Sequence, residues 1–184
     1  MARPKSIDPQ QVLDAAERVV AQVGAARLTL DAVAAEAGVS KASVVYDFGS
    51  KAGLIQAVVE RAVERDNVFN REAAQGFTRD AMLRGRIAAA AQPFPEAFQP
   101  VALALCAAMA QDPQLRAPIQ RNQAAILAEI QSSAQQPRSA LLAYLALEGL
   151  KLLESLDYVQ WPAEQRDQLL QDISALVDAP PPAN

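Results

Sequence analysis

Apolar residues recur along most of the chain at the three-to-four-residue spacing of an amphipathic helix. No run of alternating apolar and polar residues bounded by turn residues interrupts this pattern, and alanine, the strongest helix former, is abundant. We find no internal repeat. The pattern therefore predicts an all-α fold.

Capping residues set the predicted ends of the helices. Asp8, Thr29 and Ser40 each precede an apolar run, and Gly38 separates two of these runs. Small polar side chains cap helix beginnings, and glycine favours helix ends. We also expect Thr78 to cap the fifth helix. The predicted helices span about residues 9–23, 30–37, 41–47, 51–73, 78–92, 100–111, 113–130, 139–156 and 162–177.

The stretch of residues 30–48 has the pattern of a helix-turn-helix. Gly38 lies between the two short helices, where a left-handed backbone lets the second helix begin at a steep angle to the first. A short second helix with small residues near its N-terminus fits the major groove of DNA. We expect the buried seam between the two helices to contain Val33, Ala34, Ala37, Val39 and Val44.

Two segments of this region are distinctive: LTLDAVAAEAGVSK at residues 28–41 and YDFGSKAGL at residues 46–54. Together they resemble the N-terminal region of the TetR family of one-component transcriptional regulators, and the resemblance covers about residues 8–60. It implies three DNA-binding helices, a connecting fourth helix, a helical ligand-binding body and a homodimer.

These implications define the expected domains. An N-terminal three-helix helix-turn-helix DNA-binding domain would span residues 1–50, followed by a helical ligand-binding and dimerisation domain over residues 51–178. Residues 179–184 contain three consecutive prolines, and we expect them to form a disordered tail.

Position by position, the resemblance implies a set of DNA-contacting residues. Thr29 and Ser40 are expected near the DNA backbone, and Lys51 beside a phosphate at the N-terminus of the fourth helix. Val45 and Asp47 depart from the family, in which an aromatic residue is common at the first position and an aromatic or histidine at the second. Asp47 would repel a phosphate unless it accepts a hydrogen bond from a cytosine amine. The residues expected to face the groove are Lys41, Ala42, Ser43 and Tyr46.

Most of these assignments have a structural alternative. Ser40 also fits a helix cap. Lys41 and Lys51 also fit solvated surface charges. Tyr46 also fits packing between the first and third helices.

The charge distribution limits the DNA prediction without removing it. The net charge is −4, yet acidic and basic residues balance through Lys51, so the first quarter of the chain is neutral. Arg3 and Lys5 precede the first helix, either as a basic arm that enters a neighbouring groove or as ordinary charges at a chain end.

The body of the chain has more apolar residues than one buried stripe requires. The ligand-binding candidates implied by this excess are Met82, Phe94, Phe98, Cys106, Met109, Tyr144 and Glu148. Plain core packing is the alternative for the Met, Phe and Cys residues, and the apolar neighbours of Cys106 indicate an inert, buried thiol. A buried Glu148 needs a partner, such as Arg121 or a cationic or hydroxylated ligand, and a surface or intersubunit position is its alternative.

Leucines cover most of the circumference of the helix predicted at residues 139–156. We therefore expect one side of it to pack within its own subunit and the other to pack, with the last helix, against a second copy. A central helix within a monomer is the alternative. The dimer-interface candidates are Leu145, Leu152, Leu156, Leu169, Leu170 and Ile173.

Composition excludes several kinds of chemistry. The 184 residues contain no histidine and one cysteine, which excludes Ser-His and Cys-His nucleophile pairs, histidine-ligated zinc and an internal disulfide. The sequence has no phosphate-binding glycine-rich loop, so we predict that the protein is not an enzyme and has no cofactor or metal. Without an apolar segment long enough for a membrane span or a signal peptide, we expect a cytoplasmic location and no membrane partner.

These observations together predict a ligand-responsive, sequence-specific DNA-binding transcriptional regulator. We expect a homodimeric repressor that an unknown small-molecule effector releases from a palindromic double-stranded DNA operator. The alternative is a helical binding or scaffold protein whose helix-turn-helix no longer reads DNA, which Val45, Asp47 and the acidic composition favour.

Overall fold

A computed structural model describes residues 8–92 and 99–180, and its regular structure within them is entirely helical, which confirms the predicted fold class. The described part of the chain contains nine α-helices. They are α1 (Pro9–Val23), α2 (Leu30–Ala37), α3 (Lys41–Phe48), α4 (Lys51–Ala73), α5 (Ala81–Ala90), α6 (Gln99–Gln111), α7 (Ala117–Ser133), α8 (Pro137–Ser155) and α9 (Ala163–Asp178).

The predicted caps explain where the first helices begin. The carboxylate of Asp8 accepts a hydrogen bond from the backbone N–H of Gln10 at 2.9 Å, and Pro9 occupies the first turn of α1. Gly24 ends α1 with a φ of 80°, a conformation that glycine adopts without strain. α4 has 23 residues and is therefore about 34 Å long.

Two of the predicted boundaries are corrected. α5 begins at Ala81, so Thr78 is not its cap; Asp80 precedes it with a φ of 49° and no side-chain capping bond. The Asp80 carboxylate instead accepts from the backbone N–H of Gln135 at 3.1 Å, which draws it away from the helix. Asp112 caps a 3₁₀ turn ahead of α7, and Pro118 lies in the first turn of α7, where a proline removes no helical hydrogen bond.

The described residues pack as two compact units that divide within α4 and again within α7. The first unit comprises residues 8–63 and 99–120, and the second comprises residues 64–92 and 121–180. The predicted domain boundary after residue 50 corresponds to the beginning of α4.

In the first unit, α1 packs against α2 and α6, and α2 packs against α3. Its core takes side chains from all of these helices and from the first part of α4. Its largest fully buried side chains are Val12, Val20, Leu28, Val33, Val44, Leu54, Val58 and Val59.

In the second unit, α8 packs against α9, and α5 packs against both. The core members of this unit include Leu83, Ile126, Ile130, Tyr144, Leu147, Leu150, Leu170, Ile173 and Val177. No helix in the described part of the chain is long and apolar enough to cross a membrane.

Candidate functional site

The turn between α2 and α3 has the geometry that the sequence predicts. Gly38 adopts a left-handed conformation with a φ of 67°, and its N–H donates to the last carbonyls of α2. Val33 and Val44 are fully buried where the helices meet, Ala34 and Ala37 are buried beside them, and Val39 is partly buried. This confirms the expected seam.

One residue of α3, Val44, is buried, and most of the others are exposed. Val44 points into the core, whereas the side chains of Lys41, Ala42, Val45 and Asp47 are exposed. Tyr46 is 89% exposed. Packing of Tyr46 between the first and third helices, the alternative considered from sequence, is therefore wrong.

The hydroxyls at the helix beginnings act as caps. The Thr29 Oγ1 accepts from the Ala32 N–H at 3.1 Å, and the Ser40 Oγ accepts from the Ser43 N–H at 3.1 Å. The hydroxyls of Ser40 and Ser43 also share a hydrogen bond of 2.8 Å. Since Thr29 and Ser40 remain exposed, the caps leave their oxygens accessible from solvent.

The two lysines of this region already contact their own chain. The Lys41 Nζ lies 2.8 Å from the Asp31 carboxylate in an exposed ion pair. The Lys51 Nζ donates to the Ala26 carbonyl at 2.6 Å, which fixes it at the first turn of α4. An ammonium group has three donors, so this bond leaves Lys51 two for a phosphate.

Gly53 is a structurally required position that sequence reasoning missed. A Cβ at Gly53 would overlap the carbonyl oxygen of Phe48, so only glycine permits this close turn from α3 into α4. The Ser50 Oγ accepts from the Gly53 N–H at 3.0 Å and caps α4. The run from Gly49 to Gly53 therefore sets the direction in which α4 leaves the helix-turn-helix.

Arg61 ties α4 to α1 inside the first unit. Its guanidinium lies 2.7 Å from the Asp14 carboxylate and donates from Nε to the Glu17 carboxylate at 3.0 Å. The side chains of Arg61 and Glu17 are mostly buried, whereas the Asp14 side chain is exposed, so the Glu17 bond is the one shielded from solvent. The pairing joins residues far apart in the sequence, and helical periodicity could not reveal it.

A buried polar cluster lies in the second unit. Arg86 on α5 is 5% exposed; its Nη2 donates to the Asn67 Oδ1 at 2.9 Å, and its Nη1 lies 3.4 Å from the Asp66 Oδ2. Asn67 in turn donates to the Asn122 Oδ1 at 2.8 Å. The cluster thereby links α4, α5 and α7.

The second unit also has a cavity of about 340 Å³ near the beginning of α5. It is lined by residues of α5, α7 and α8 and by the turn before α5. Of the predicted ligand-binding residues, Met82 lines this cavity; other lining residues are Asp80, Leu83, Ile130, Ser133 and Ala140.

One side of α8 exposes large apolar side chains. Leu145 and Leu152 are each 55% exposed, and Leu142 and Leu153 are exposed beside them. Gly149 lies between them on the same side of the helix, and apart from its chain neighbours and the local backbone of α8, no atom of the described residues is within 4 Å of the position of a Cβ there. We name the exposed residues Leu142, Leu145, Gly149, Leu152 and Leu153 the α8 leucine face.

Comparison with known families decides the identity of the chain. Residues 80–178 match the tetracyclin repressor-like C-terminal domain, and residues 12–58 match the bacterial regulatory proteins of the tetR family. The chain belongs to the TetR family. Its fold is that of a DNA-binding transcriptional regulator.

Solved structures share the fold of this TetR-family regulator over nearly their whole length. One, assigned to the TetR-family transcriptional regulators of a Rhodococcus species, is 24% identical with a TM-score of 0.70 and covers 92% of this chain and 98% of its own. The multidrug binding protein EbrR, complexed with malachite green, is 23% identical with a TM-score of 0.69 and covers 92% and 98%. A regulator from Saccharomonospora viridis in complex with choline is 16% identical with a TM-score of 0.69 and covers 90% and 94%. Comparison with curated protein sequences gives no significant match.

The predicted ligand-binding residues of this TetR-family regulator divide between its two units. Met82, Tyr144 and Glu148 belong to the second unit, whereas Cys106 and Met109 lie on α6 in the first. Phe94 and Phe98 lie outside the described residues, as do Arg3 and Lys5 of the predicted DNA-binding arm and most of the predicted tail.

Two side chains of this set differ from expectation. Cys106 is exposed in the chain, which corrects the prediction of a buried thiol. Its apolar neighbours in sequence misled the prediction because α6 also exposes small residues. Glu148 is half-buried and pairs with Lys151 at 3.3 Å, one turn away on α8.

The predicted dimer residues also separate into two groups. Leu145 and Leu152 belong to the α8 leucine face, and Leu156 and Leu169 are partly exposed. Leu170 and Ile173 are 5% and 8% exposed and pack in the core of their own unit, which corrects their assignment to the interface. The inner side of α9 faces α8 and α5, so these two side chains are used within the subunit.

The hydroxyl of Tyr144 is expected to lose its proton at a higher pH in the folded protein than in the unfolded chain. Burial raises the pKa of its hydroxyl from 10.0 to about 12, the charge of Glu148 adds to the rise, and Arg86 opposes it. The folded state therefore holds this proton more tightly than the unfolded state, and the resulting stabilisation is complete below pH 10 and lost as the pH rises towards 12.

The unfolding free energy of the wild type should fall between pH 10 and about pH 12 as Tyr144 ionises. In Tyr144→Phe this fall should be smaller by about 1–2 kcal/mol, because the variant lacks the titrating hydroxyl. The measurement is urea unfolding at about pH 9 and about pH 12 for both proteins. At about pH 9 the variant should also be less stable than the wild type, because it lacks the hydroxyl bond to Gln123. An unchanged pH dependence in the variant would contradict the assignment of the shifted group.

Proposed function

We propose that this TetR-family regulator is a homodimeric repressor that a small-molecule effector releases from a pseudo-palindromic operator. The observation that carries the proposal is the outward face of α3, where Tyr46 is 89% exposed while Val44 anchors the helix from behind. A short helix held in this way on a compact three-helix support can enter a major groove about 12 Å wide.

The exposed chemistry of α3 supports base contacts at its N-terminal half. Lys41, Ala42, Ser43 and Tyr46 would face the groove, with the Tyr46 hydroxyl able to donate or accept. Thr29, Ser40 and Lys51 lie at the beginnings of α2, α3 and α4, where free backbone amides and the helix dipole favour a phosphate. These seven residues form the proposed DNA-binding set.

Dimerisation would use the α8 leucine face. Single exposed leucines are ordinary on a protein surface, but several on one side of one helix mark an interaction site. Gly149 in its centre would let the matching helix of a second copy approach closely. Leu156 and Leu169, which are partly exposed, would lie at the margin of this two-fold interface.

The effector would bind in the second unit and act through α4, which runs through both units. In a two-fold dimer, the recognition helices must be separated by about one DNA turn, 34–36 Å. An effector that favours another separation by about 1–3 kcal/mol lowers operator affinity by about 5–150-fold. The malachite green and choline complexes of proteins with this fold support a small-molecule site.

A helical binding protein that no longer reads DNA is the second candidate. The observations that favour it are the acidic Asp47 on the exposed side of α3 and the pairing of Lys41 with Asp31. Both reduce the positive potential that attracts a phosphate backbone.

Selection from random double-stranded DNA by the full chain separates the two candidates. A repressor enriches a pseudo-palindromic motif whose half-sites are about one helical turn apart. A scaffold protein enriches no motif, and that result would overturn the proposed function.

We expect Lys51→Gln to weaken binding to every DNA sequence and to lower the salt slope by about one unit, because it removes one phosphate contact. Lys151→Gln on α8 removes the same charge far from the DNA-binding set in sequence and serves as the control. The measurement is fluorescence anisotropy over a range of salt concentrations. Equal slopes for the wild type and Lys51→Gln would contradict a phosphate contact at this residue.

A further inference from the structure

Arg86 is a buried cation with an incomplete set of partners. It is 5% exposed, yet its Nε–H meets no acceptor among the described residues and is shielded from solvent. Its Nη2 has a good bond to Asn67, whereas its Nη1 lies 3.4 Å from the Asp66 carboxylate, at the long end for a charged pair. The guanidinium therefore retains capacity for a further acceptor.

This incomplete pairing is costly unless something else binds. A buried donor without an acceptor destabilises a protein, more so when the group is charged. A core role alone would be served equally well by an apolar side chain of similar size. The cost is offset if a ligand or a water completes the hydrogen bonds of Arg86.

The unmet donor of Arg86 favours a hydrogen-bond acceptor, and its positive charge favours an anionic acceptor. The nearby carboxylates already have donors: Asp66 accepts from the Asn70 Nδ2 at 2.8 Å, and Glu148 pairs with Lys151. The guanidinium of Arg86 is the group in the cluster with an unmet donor. A planar carboxylate matches a guanidinium edge with two parallel hydrogen bonds.

Asp66 is the solvent-facing edge of the cluster. The Asp66 side chain is 40% exposed although its partner Arg86 is buried, so the guanidinium lies just beneath this surface of α4.

We propose that Arg86 anchors a carboxylate of the effector, which makes a carboxylic acid the ligand class of this regulator. That the bound carboxylate acts as an effector rests on the proposed function. The carboxylate site itself does not depend on DNA binding. The bound carboxylate would accept from the Nε–H of Arg86 and compete with Asp66 for the guanidinium.

Competition between the ligand carboxylate and Asp66 for the guanidinium of Arg86 would couple ligand binding to α4. Asp66 and Asn67 are the α4 residues that Arg86 holds, and they lie in the same continuous helix as Lys51 of the proposed DNA-binding set. A carboxylate that draws the guanidinium away from Asp66 loosens this attachment. Binding at Arg86 thereby changes the restraint on α4.

Acetate, the smallest carboxylate with a methyl group for detection, tests the site on the full chain without DNA. We expect saturation-transfer NMR to show acetate binding, and we expect sodium acetate to raise the unfolding midpoint by about 2–4 °C over sodium chloride at equal concentration. Acetamide has the same shape without the charge and should do neither.

Two variants and one control assign the binding to Arg86. Arg86→Met should lower acetate affinity at least tenfold and should remain folded, because it removes a buried charge whose hydrogen bonds are incomplete and leaves Asp66 partly exposed to solvent. Arg86→Lys keeps the charge but lacks the planar Nε–H, and it should also bind more weakly. Arg84→Met removes a guanidinium of the same helix that pairs with Asp178 at 2.6 Å, and it should bind acetate as the wild type does.

The outcomes separate this inference from the proposed function. Acetate binding that survives in Arg86→Met, equal binding of acetamide, or no acetate binding at all would each overturn the carboxylate site, whatever the DNA selection gives. If acetate binding depends on Arg86 but the protein enriches no DNA motif, the carboxylate site is supported and only the proposed repressor function is overturned.

Discussion

Replacing both Leu145 and Leu152 by glutamate is expected to convert the protein into a monomer and to lower operator affinity by about 100-fold or more. Both side chains are 55% exposed in the chain and outside its core, so the fold does not need them. In a two-fold dimer the change places four carboxylates in one apolar interface, which repel one another and lose hydration. A monomer then loses the gain that comes from binding two half-sites at once.

Light scattering after gel filtration measures the oligomeric state, and anisotropy on the selected operator measures the affinity. Val68→Glu is the matched control, because Val68 is an exposed apolar residue, 39% accessible, on α4 rather than α8. It should remain a dimer. A double variant that stays dimeric would show that the α8 leucine face is not the interface.

Adjacent residues of α3 are expected to respond in opposite ways to the same substitution. Val44 is fully buried and Val45 is 40% exposed. Val44→Asp places a carboxylate in the core of the first unit and should cost about 4 kcal/mol or more of unfolding free energy. Val45→Asp should leave stability within about 0.5 kcal/mol, yet weaken operator binding about tenfold or more by repulsion of the phosphates.

Urea unfolding and operator anisotropy on the same samples separate the two effects. Val45→Thr keeps the branched shape without the charge, and it should bind within about twofold of the wild type. If Val45→Asp unfolds the protein as Val44→Asp does, the orientation of α3 is wrong. If Val45→Asp binds the operator normally, α3 does not face DNA.

Local features of this protein could be read from its sequence. The caps at Asp8, Thr29 and Ser40 and the left-handed Gly38 follow from short-range hydrogen bonding and from the backbone freedom of glycine. The buried seam of the helix-turn-helix follows from helical periodicity. The start of α5 could not be read in this way, because Asp80 bonds to Gln135 across a distance of 55 residues.

The polar contacts that matter most join distant parts of the sequence. Arg61 meets Asp14 and Glu17 on α1, and Arg86 meets Asp66 on α4. A sequence pattern identifies such residues only as charges, since their burial depends on which helices pack together. The chemistry of the candidate effector site therefore emerged from the structure.

Apolar residues on α8 and α9 show a second limit. α8 is apolar around most of its circumference, so periodicity indicates two buried sides without saying which leucine lies on which. Leu147 and Leu150 pack inside the subunit, while Leu145 and Leu152 remain exposed. On α9, Leu170 and Ile173 were expected at the interface and instead fill the core.

Site-directed DNA cleavage from α3 tests the central claim most directly. Cys106 is the only cysteine of the chain, so Cys106→Ser with Val45→Cys gives one attachment point for an iron chelate on the exposed side of α3. On the selected operator, we predict two clusters of cleavage in the major groove, centred about 10–10.5 base pairs apart and related by two-fold symmetry. A single cluster, or cleavage spread evenly along the DNA, would contradict a symmetric pair of α3 recognition helices.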